Sequence, residues 1–375
     1  MLKFLSSKPE FSKGRLYKEI NDQPYRSHFQ RDRDRIIHST AFRKLKQKTQ
    51  VFLENESDYY RTRLTHTLEV SQIARAISRN LDLNEDLCEC IALAHDLGHP
   101  PFGHTGENIL NYKMQNFNGF NHNEQTLRII TFLEKKYYDF NGLNLTWESL
   151  EGIIKHNGKI IDKVPFEINL YDKIQNLDIY KNPSLEAQIA SIADDIAYNN
   201  HDIDDAIRAD LITIEEISEI NYFNEIIKQI KNRYSQIEKS ILINEVIRFS
   251  IKLMVESIVE KTTENININN IKKIKDVNNY PSFLVSMDDQ MNINSKQIKD
   301  FLFLKVYKNA KIEEKRKKNE IIIEKLFNHY QQNFNLLPND WIKKSDTMNK
   351  ERIICDYIAG MTDRYADLQY HLIYD

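Results

Sequence analysis

The residues best placed for chemistry are two histidines and an aspartate, His66 and the adjacent pair His95 and Asp96. His66 lies on one helical stripe with Val70, Ile73, Ile77 and Leu81, and His95 shares a face with Cys88, Ile91 and Ala92, so both point inward. Burying two imidazoles beside a carboxylate is costly unless they share a partner. Neutral imidazole and carboxylate form the ligand set of divalent Mn, Mg, Fe or Zn ions. A fourth ligand must come from elsewhere, and Asp194 is the best candidate. It stands beside Asp195 on a helix face kept open by Ala190 and Ala197, in line with Tyr198 and Asp202 at steps of four.

The segment HDLGHPPFGHTGE (95–107) adds a second kind of chemistry. Three of the nine glycines and two of the eight prolines fall between Gly98 and Gly106. Glycine suits sharp turns and close approach, and Pro-Pro stiffens the path. His99, His104 and Glu107 project from this loop and the start of the next helix, and such groups do general acid–base work near neutral pH. The competing reading is a helix-capping loop with incidental histidines. His122 and Glu124, in Asn121–Gln125, fit an extension of the site and a plain helix start equally well.

Helices must position these groups. Glycine and proline are too sparse for a sandwich or barrel, and a hydrophobic content of 41% supports a core without disulfides. The expected class is all-α. One helix carries His66, and a second runs from an N-cap at Asn84 to a stop at Gly98. A third spans Leu185–Arg208 with Ile189, Ile192, Ile196, Ile203 and Ile207 as its core stripe. A further helix is expected around Asp32–Lys48. The Glu264–Asn279 stretch, rich in Ile, Asn and Lys, reads as compositional bias with an exposed loop. The chain divides into a lead-in (1–60) contributing to the site, a core (61–212), a helical region of less certain role (213–350) and a helical tail packed on the core (351–375).

A net charge of −3 excludes a globally basic nucleic-acid binder. Locally, Arg26–Lys48 holds Arg31, Arg33, Arg35, Arg43, Lys44 and Lys46 against Asp32 and Asp34. Two readings stand: a solvated face with internal ion pairs, or a wall that attracts polyphosphate or single-stranded DNA. Cys88, Cys90 and Cys355 are an odd set with no secretory segment, and no run approaches a membrane span. A cytoplasmic protein without a membrane partner is expected, with Cys88 and Cys90 pointing apart.

As a set, these residues resemble the HD-domain superfamily and, within it, the deoxyguanosine triphosphate triphosphohydrolase family. Besides 95–107, the resemblance is carried by RDRDRIIHSTAFRKLKQKTQVF (31–52), RTRLTHTLEV (61–70), LEAQIASIADDIAYNNHDIDDA (185–206) and DYIAGMTDRY (356–365). It implies an HD helical bundle with an added C-terminal helical region. It further implies one divalent metal ion per site, Mn2+ or Mg2+ first, with Fe, Co, Ni or Zn as alternatives, held by His66, His95, Asp96 and Asp194. The implied reaction cleaves a deoxynucleoside triphosphate (dNTP) to deoxynucleoside and triphosphate by water attack at the α-phosphorus. His104 then matches the acid–base histidine, Glu107 its partner and His122 a further active-site histidine. Arg63 and His99 match phosphate contacts, Tyr198 the residue crowding C2′, and Asp202 and Gln50 contacts to the 3′ hydroxyl. A homo-oligomer, a dNTP activator and single-stranded DNA are the partners it brings with it.

The chain looks compact for that family, and 215–350 matches no pattern. Arg352, Asp363 and Arg364 either reach the site or pair with each other. The rival functions are an HD enzyme acting on another nucleotide phosphate ester and a non-catalytic nucleotide or single-strand binder.

Overall fold

The computed structural model describes residues 2–19, 25–50, 60–161, 163–234, 236–346 and 348–375. Residues 20–24 and 51–59 of the lead-in, and with them positions 51 and 52 of the 31–52 segment, lie outside the described residues. The fold is all-α, and among the described residues β pairing is confined to isolated bridges.

Three helices form the scaffold of the site: α1 (Arg63–Leu81), α2 (Glu85–Ala94) and, later in the chain, the long Leu185–Arg208 helix. Each starts at a capping side chain. Thr62 accepts from Thr65 N–H, Asn84 from Leu87 N–H and Ser184 from Ala187 N–H, relieving the unpaired donors of a first turn. The stripe Val70, Ile73, Ile77 and Leu81 is buried against α2 and the Leu185–Arg208 helix, where Leu87, Ile91, Ile189, Ile196 and Ile203 meet it. Each such side chain contributes roughly 1.5–3 kcal/mol on burial, which fixes the helices that present His66, His95 and Asp194.

Between α2 and the Leu185–Arg208 helix lie α3 (His104–Lys113), α4 (His122–Arg128) and α5 (Trp147–Ile154); the long helix is α6. Beyond it come α7 (Lys239–Ile268), α8 (Asp289–Leu302), α9 (Ala310–Gln332), α10 (Lys350–Ala359) and α11 (Asp363–Tyr374). A second hydrophobic cluster joins α3 to these last helices. Phe102 and Leu110 pack with Ile322, Phe327, Ile354 and Ile358, so α9, α10 and α11 form one body against α3.

Several local expectations change. The helix expected around Asp32–Lys48 is broken: one helix covers His28–Ile37, and Ser39 then caps a short helix, Thr40–Lys44, by accepting from Phe42 N–H. The serine hydroxyl competes for backbone donors and restarts the chain there. Most of the Glu264–Asn279 stretch is helical, and the expected exposed loop is confined to 269–273. The stretch holds the end of α7 and the Ile274–Asn279 helix, because Ile266, Ile271 and Val277 are buried. Of the two readings of the basic segment, internal pairing describes four of its arginines: Arg31 and Arg35 pair with Glu19, Arg26 with Asp34, and Arg33 with Asp34, Asp86 and Glu89, whereas Arg43 is exposed. Cys88 and Cys90 do point apart, toward the Ala74 and Glu186 carbonyls and toward Ser149.

Candidate active site

His66 enters from the first turns of α1, His95 and Asp96 directly after α2, and Asp194 from the middle of α6. The Nε2 of His66 is 2.9 Å from Asp194 Oδ1, and the Nε2 of His95 is 3.7 Å from that oxygen and 3.4 Å from Asp96 Oδ1. His66, His95 and Asp96 are all buried, and their donor atoms lie close enough to hold one ion. The fit to a metal rests on His95. Its Nδ1 donates to the Ala92 carbonyl at 2.6 Å, which leaves a lone pair on Nε2. That Nε2 is buried and has no hydrogen-bond partner, while two carboxylate oxygens face it. A cation completes such an arrangement, and the backbone bond that orients the ring is the usual support of a ligating histidine.

The electrostatics of Asp96, Asp194 and His95 agree. Burial alone would raise the Asp96 carboxyl, but Arg63, His95 and His99 hold it well below the ordinary carboxylate range. Asp194 is likewise held low, against its burial, by His95, His156 and His66. Burial keeps His95 below the usual imidazole value, as a neutral ligand requires. Arg63 is buried, and its Nη1 donates to Asp96 Oδ2 at 2.9 Å, which leaves Oδ1 to His95 and to His99, 2.9 Å away.

A second constellation adjoins the first. Glu107, on α3, uses both oxygens: His104 Nδ1 is 3.1 Å from Oε2, while His122 Nδ1 and N–H are each 2.9 Å from Oε1. Burial pushes the Glu107 carboxyl up, but the bonds from the two imidazoles outweigh it and hold the group far below its ordinary value. An ionised Glu107 accepts from Nδ1–H of His104 and so leaves Nε2 as its working nitrogen. The His104 side chain is 75% exposed, whereas His99 is buried and stacks on His122 at 4.0 Å between ring centres.

The loop between these groups is held by unusual backbone. Gly98 does not stop α2, which ends at Ala94; it permits close packing on α4. A Cβ there would sit 2.0 Å from the His122 carbonyl oxygen and 2.3 Å from Thr126 N. Phe102 takes a left-handed conformation (φ 62°), and its N–H is anchored by Asp363 Oδ1 at 2.9 Å. The other oxygen of Asp363 accepts from Thr49 N–H at 2.8 Å. Asp363 therefore neither enters the site nor pairs with Arg352: it ties the start of α11 to two residues that line the cavity. Arg352 donates to the Phe117 and Gly119 carbonyls, away from that cavity.

Both constellations open into one cavity of about 640 Å³, within the usual range for small-molecule sites. It brings together Gln50, Arg63, His66, His95, Asp96, His99, His104, His122, Asp194 and Tyr198. Glu107 supports it from behind His104 and His122. Asp202 is not among the lining residues. It is buried and accepts from the hydroxyl of Tyr307, whose ring stands 6.0 Å from that of Tyr198. Burial raises the Asp202 carboxyl to about 7 despite that bond.

Sequence reasoning missed one wall entirely. Tyr307, from a π-helical turn at Phe303–Tyr307, and Lys315, Arg316 and Asn319, from α9, line the same cavity. The basic run at 315–318 was the available signal, but nothing in its spacing connects it to the histidines between His66 and His122. His156 was also missed. It follows α5 and lines the cavity beside Asp194.

A helical bundle that brings a histidine, a His-Asp pair and a distant aspartate to one buried point, beside a polar cavity, has the construction of an HD-type phosphohydrolase. The HD domain model matches residues 63–199, and the phosphohydrolase-associated domain model matches 285–371. Among curated proteins, the deoxyguanosinetriphosphate triphosphohydrolase-like protein of Rickettsia rickettsii (strain Iowa) is 47% identical over 374 residues, covering 99% of this chain and 97% of its own length. That of Brucella ovis (strain ATCC 25840 / 63/290 / NCTC 10512) is 45% identical over 381 residues, covering 99% and 94%. The chain belongs to the deoxyguanosinetriphosphate triphosphohydrolase-like family of HD-domain proteins. It is not compact beside these relatives, and the likeness extends through 215–350. No helix among the described residues is long and apolar enough to cross a membrane.

Proposed function

We propose that the chain is a metal-dependent dNTP triphosphohydrolase, releasing deoxynucleoside and inorganic triphosphate. The observation that carries this reading is the cavity in which the His66, His95, Asp96 and Asp194 cluster stands beside a histidine pair braced by Glu107. Those four residues would hold one divalent ion, Mn2+ or Mg2+, which supplies Lewis-acid polarisation of a phosphoryl oxygen and activation of water.

The protein's own groups account for the rest. Arg63, with Lys315 and Arg316 across the cavity, offsets the charge of the triphosphate. His99 and His122 face the same space and line the path of the phosphates, with Nδ1 of each turned to a carboxylate. Water attacks the α-phosphorus and the bond to the 5′ oxygen breaks. His104, oriented by Glu107, delivers a proton to that oxygen from Nε2. Net transfer is OH to phosphorus and H to the nucleoside. Tyr198 packs where a ribose 2′ hydroxyl would otherwise lie, and Gln50 offers a contact to the 3′ hydroxyl. Asp202 acts on the sugar through Tyr307 in this reading, because that hydroxyl occupies its carboxylate.

The proposed setting is cytoplasmic, with homo-oligomers and a dNTP activator as partners. Single-stranded DNA would need a surface other than the arginines at 31, 33 and 35, which are taken up in ion pairs. Ion-exchange analysis of products from a dNTP panel with Mn2+ tests the reaction. Triphosphate and deoxynucleoside in equal amounts are expected; orthophosphate or monophosphate would favour an HD enzyme acting on another phosphate ester.

A further inference from the structure

His156 is a buried imidazole that the reaction above does not use. It sits directly beyond the C-terminus of α5, is 5% exposed and lines the catalytic cavity. Its place is fixed from below. Lys155, fully buried, holds Glu151 one turn earlier at 2.7 Å, and Gly152 lets α5 press on Ile91 of α2, where a Cβ would lie 2.3 Å from Ile91 Cδ1. The ring then has two contacts. It stacks on His95 at 5.1 Å between centres with planes 23° apart, and its Nε2 is 3.3 Å from Asp194 Oδ2.

That oxygen matters because the two oxygens of Asp194 are divided. Oδ1 faces His66 at 2.9 Å and His95 at 3.7 Å, and Oδ2 faces His156. The Asp194 side chain is 30% exposed to the cavity, so without a second contact its carboxylate is free to rotate about the Cβ–Cγ bond. Among the described residues the buried Nδ1 of His156 has no partner, and the hydrogen bond that fixes the tautomer there is the one from Nε2–H to Asp194.

We propose that His156 is a positioning residue. By donating from Nε2 to Asp194 Oδ2 it locks the carboxylate with Oδ1 turned toward His66 and His95, and by stacking on His95 it holds that second ligand in register. The inference rests on the reading of Asp194 as a metal ligand. Removing a support of this kind typically costs about 10–100-fold in metal affinity.

The test is Mn2+ binding to the metal-stripped full chain, followed by titration calorimetry and by the electron paramagnetic resonance signal of bound Mn2+. His156→Phe keeps a ring for the stack but has no donor, and is expected to weaken Mn2+ binding about 10–100-fold and broaden the bound signal. His156→Gln, whose amide nitrogen reaches as far as Nε2, should recover most of the affinity. His156→Asn, which is shorter, should not. If the phenylalanine variant fails to fold, the Gln and Asn pair decides alone. Wild-type affinity in His156→Phe, or equal affinity in Gln and Asn, would overturn the assignment. Asp194→Ala in the same titration separates the two ideas. Unchanged binding there would overturn the metal site itself, whereas loss there with normal binding in His156→Phe would overturn only the role of His156.

Discussion

Glu107 serves two histidines with one carboxylate, and that division sets what its loss should do. In Glu107→Gln the amide can donate only from nitrogen and accept only at oxygen, so one of the two imidazoles loses its acceptor. His104→Ala should lower kcat about 10²–10⁴-fold, the usual contribution of a positioned acid, while Mn2+ binding stays at the wild-type level. Glu107→Gln should lower kcat by less, with KM also raised, because its single oxygen can anchor only one of His104 and His122. Steady-state kinetics beside Mn2+ titration check both; loss of metal binding in His104→Ala would count against the separation of the two constellations. At this scale much was legible in the sequence. His66 and Asp194 stand out as polar residues on otherwise apolar or small-residue stripes, and the His95–Glu107 segment by its glycine and proline content. His156 carried no such mark, since a lone histidine after an apolar helix is most often a core residue.

Between elements, Lys48 is the joint that shows how the lead-in, the His95–Glu107 loop and the C-terminal helices are held together. Its ammonium is buried and donates to the carbonyls of His99 and of Ala359, at the end of α10. Burial, with Lys44 adding to it, lowers the group from 10.5 to about 7. Below about pH 7 folded and unfolded chains both carry the proton, and the cost of burying the charge is felt in full. Between about 7 and 10.5 the unfolded chain binds more protons than the folded one, so this residue makes stability rise with pH. Urea midpoints measured from pH 7 to 10 should therefore climb more steeply in wild type than in Lys48→Met; parallel curves would contradict the buried charge. Helix positions were readable where apolar periodicity was long, as in Leu185–Arg208. The break at Ser39 and the helices within Glu264–Asn279 were not, because a cap competes locally with propensity and a biased composition hides a sparse buried stripe of Ile266, Ile271 and Val277.

Across the whole molecule, the candidate cavity is closed by a helix far along the chain. The HD core supplies the histidines and aspartates, and the associated region supplies Tyr307, Lys315, Arg316 and Asn319. That long-range pairing is set by tertiary packing of α9 on α3, α10 and α11, and no local pattern announces it. On the outer face of α11, Tyr365, Leu368 and Leu372 remain exposed, an apolar strip compatible with the proposed homo-oligomer. Light scattering at micromolar protein should give at least a dimer, and Leu368→Lys with Leu372→Lys should shift it toward monomer; a monomeric wild type would rule the assembly out. The proposed reaction breaks one bond, that between the α-phosphorus and the 5′ oxygen, by attack of water at phosphorus. Hydrolysis of a dNTP in 18O-labelled water with Mn2+, read by mass spectrometry of both products, tests this directly. One 18O atom in the triphosphate and none in the deoxynucleoside is the predicted result. Label in the deoxynucleoside, or label in released orthophosphate with a dNDP left behind, would contradict it.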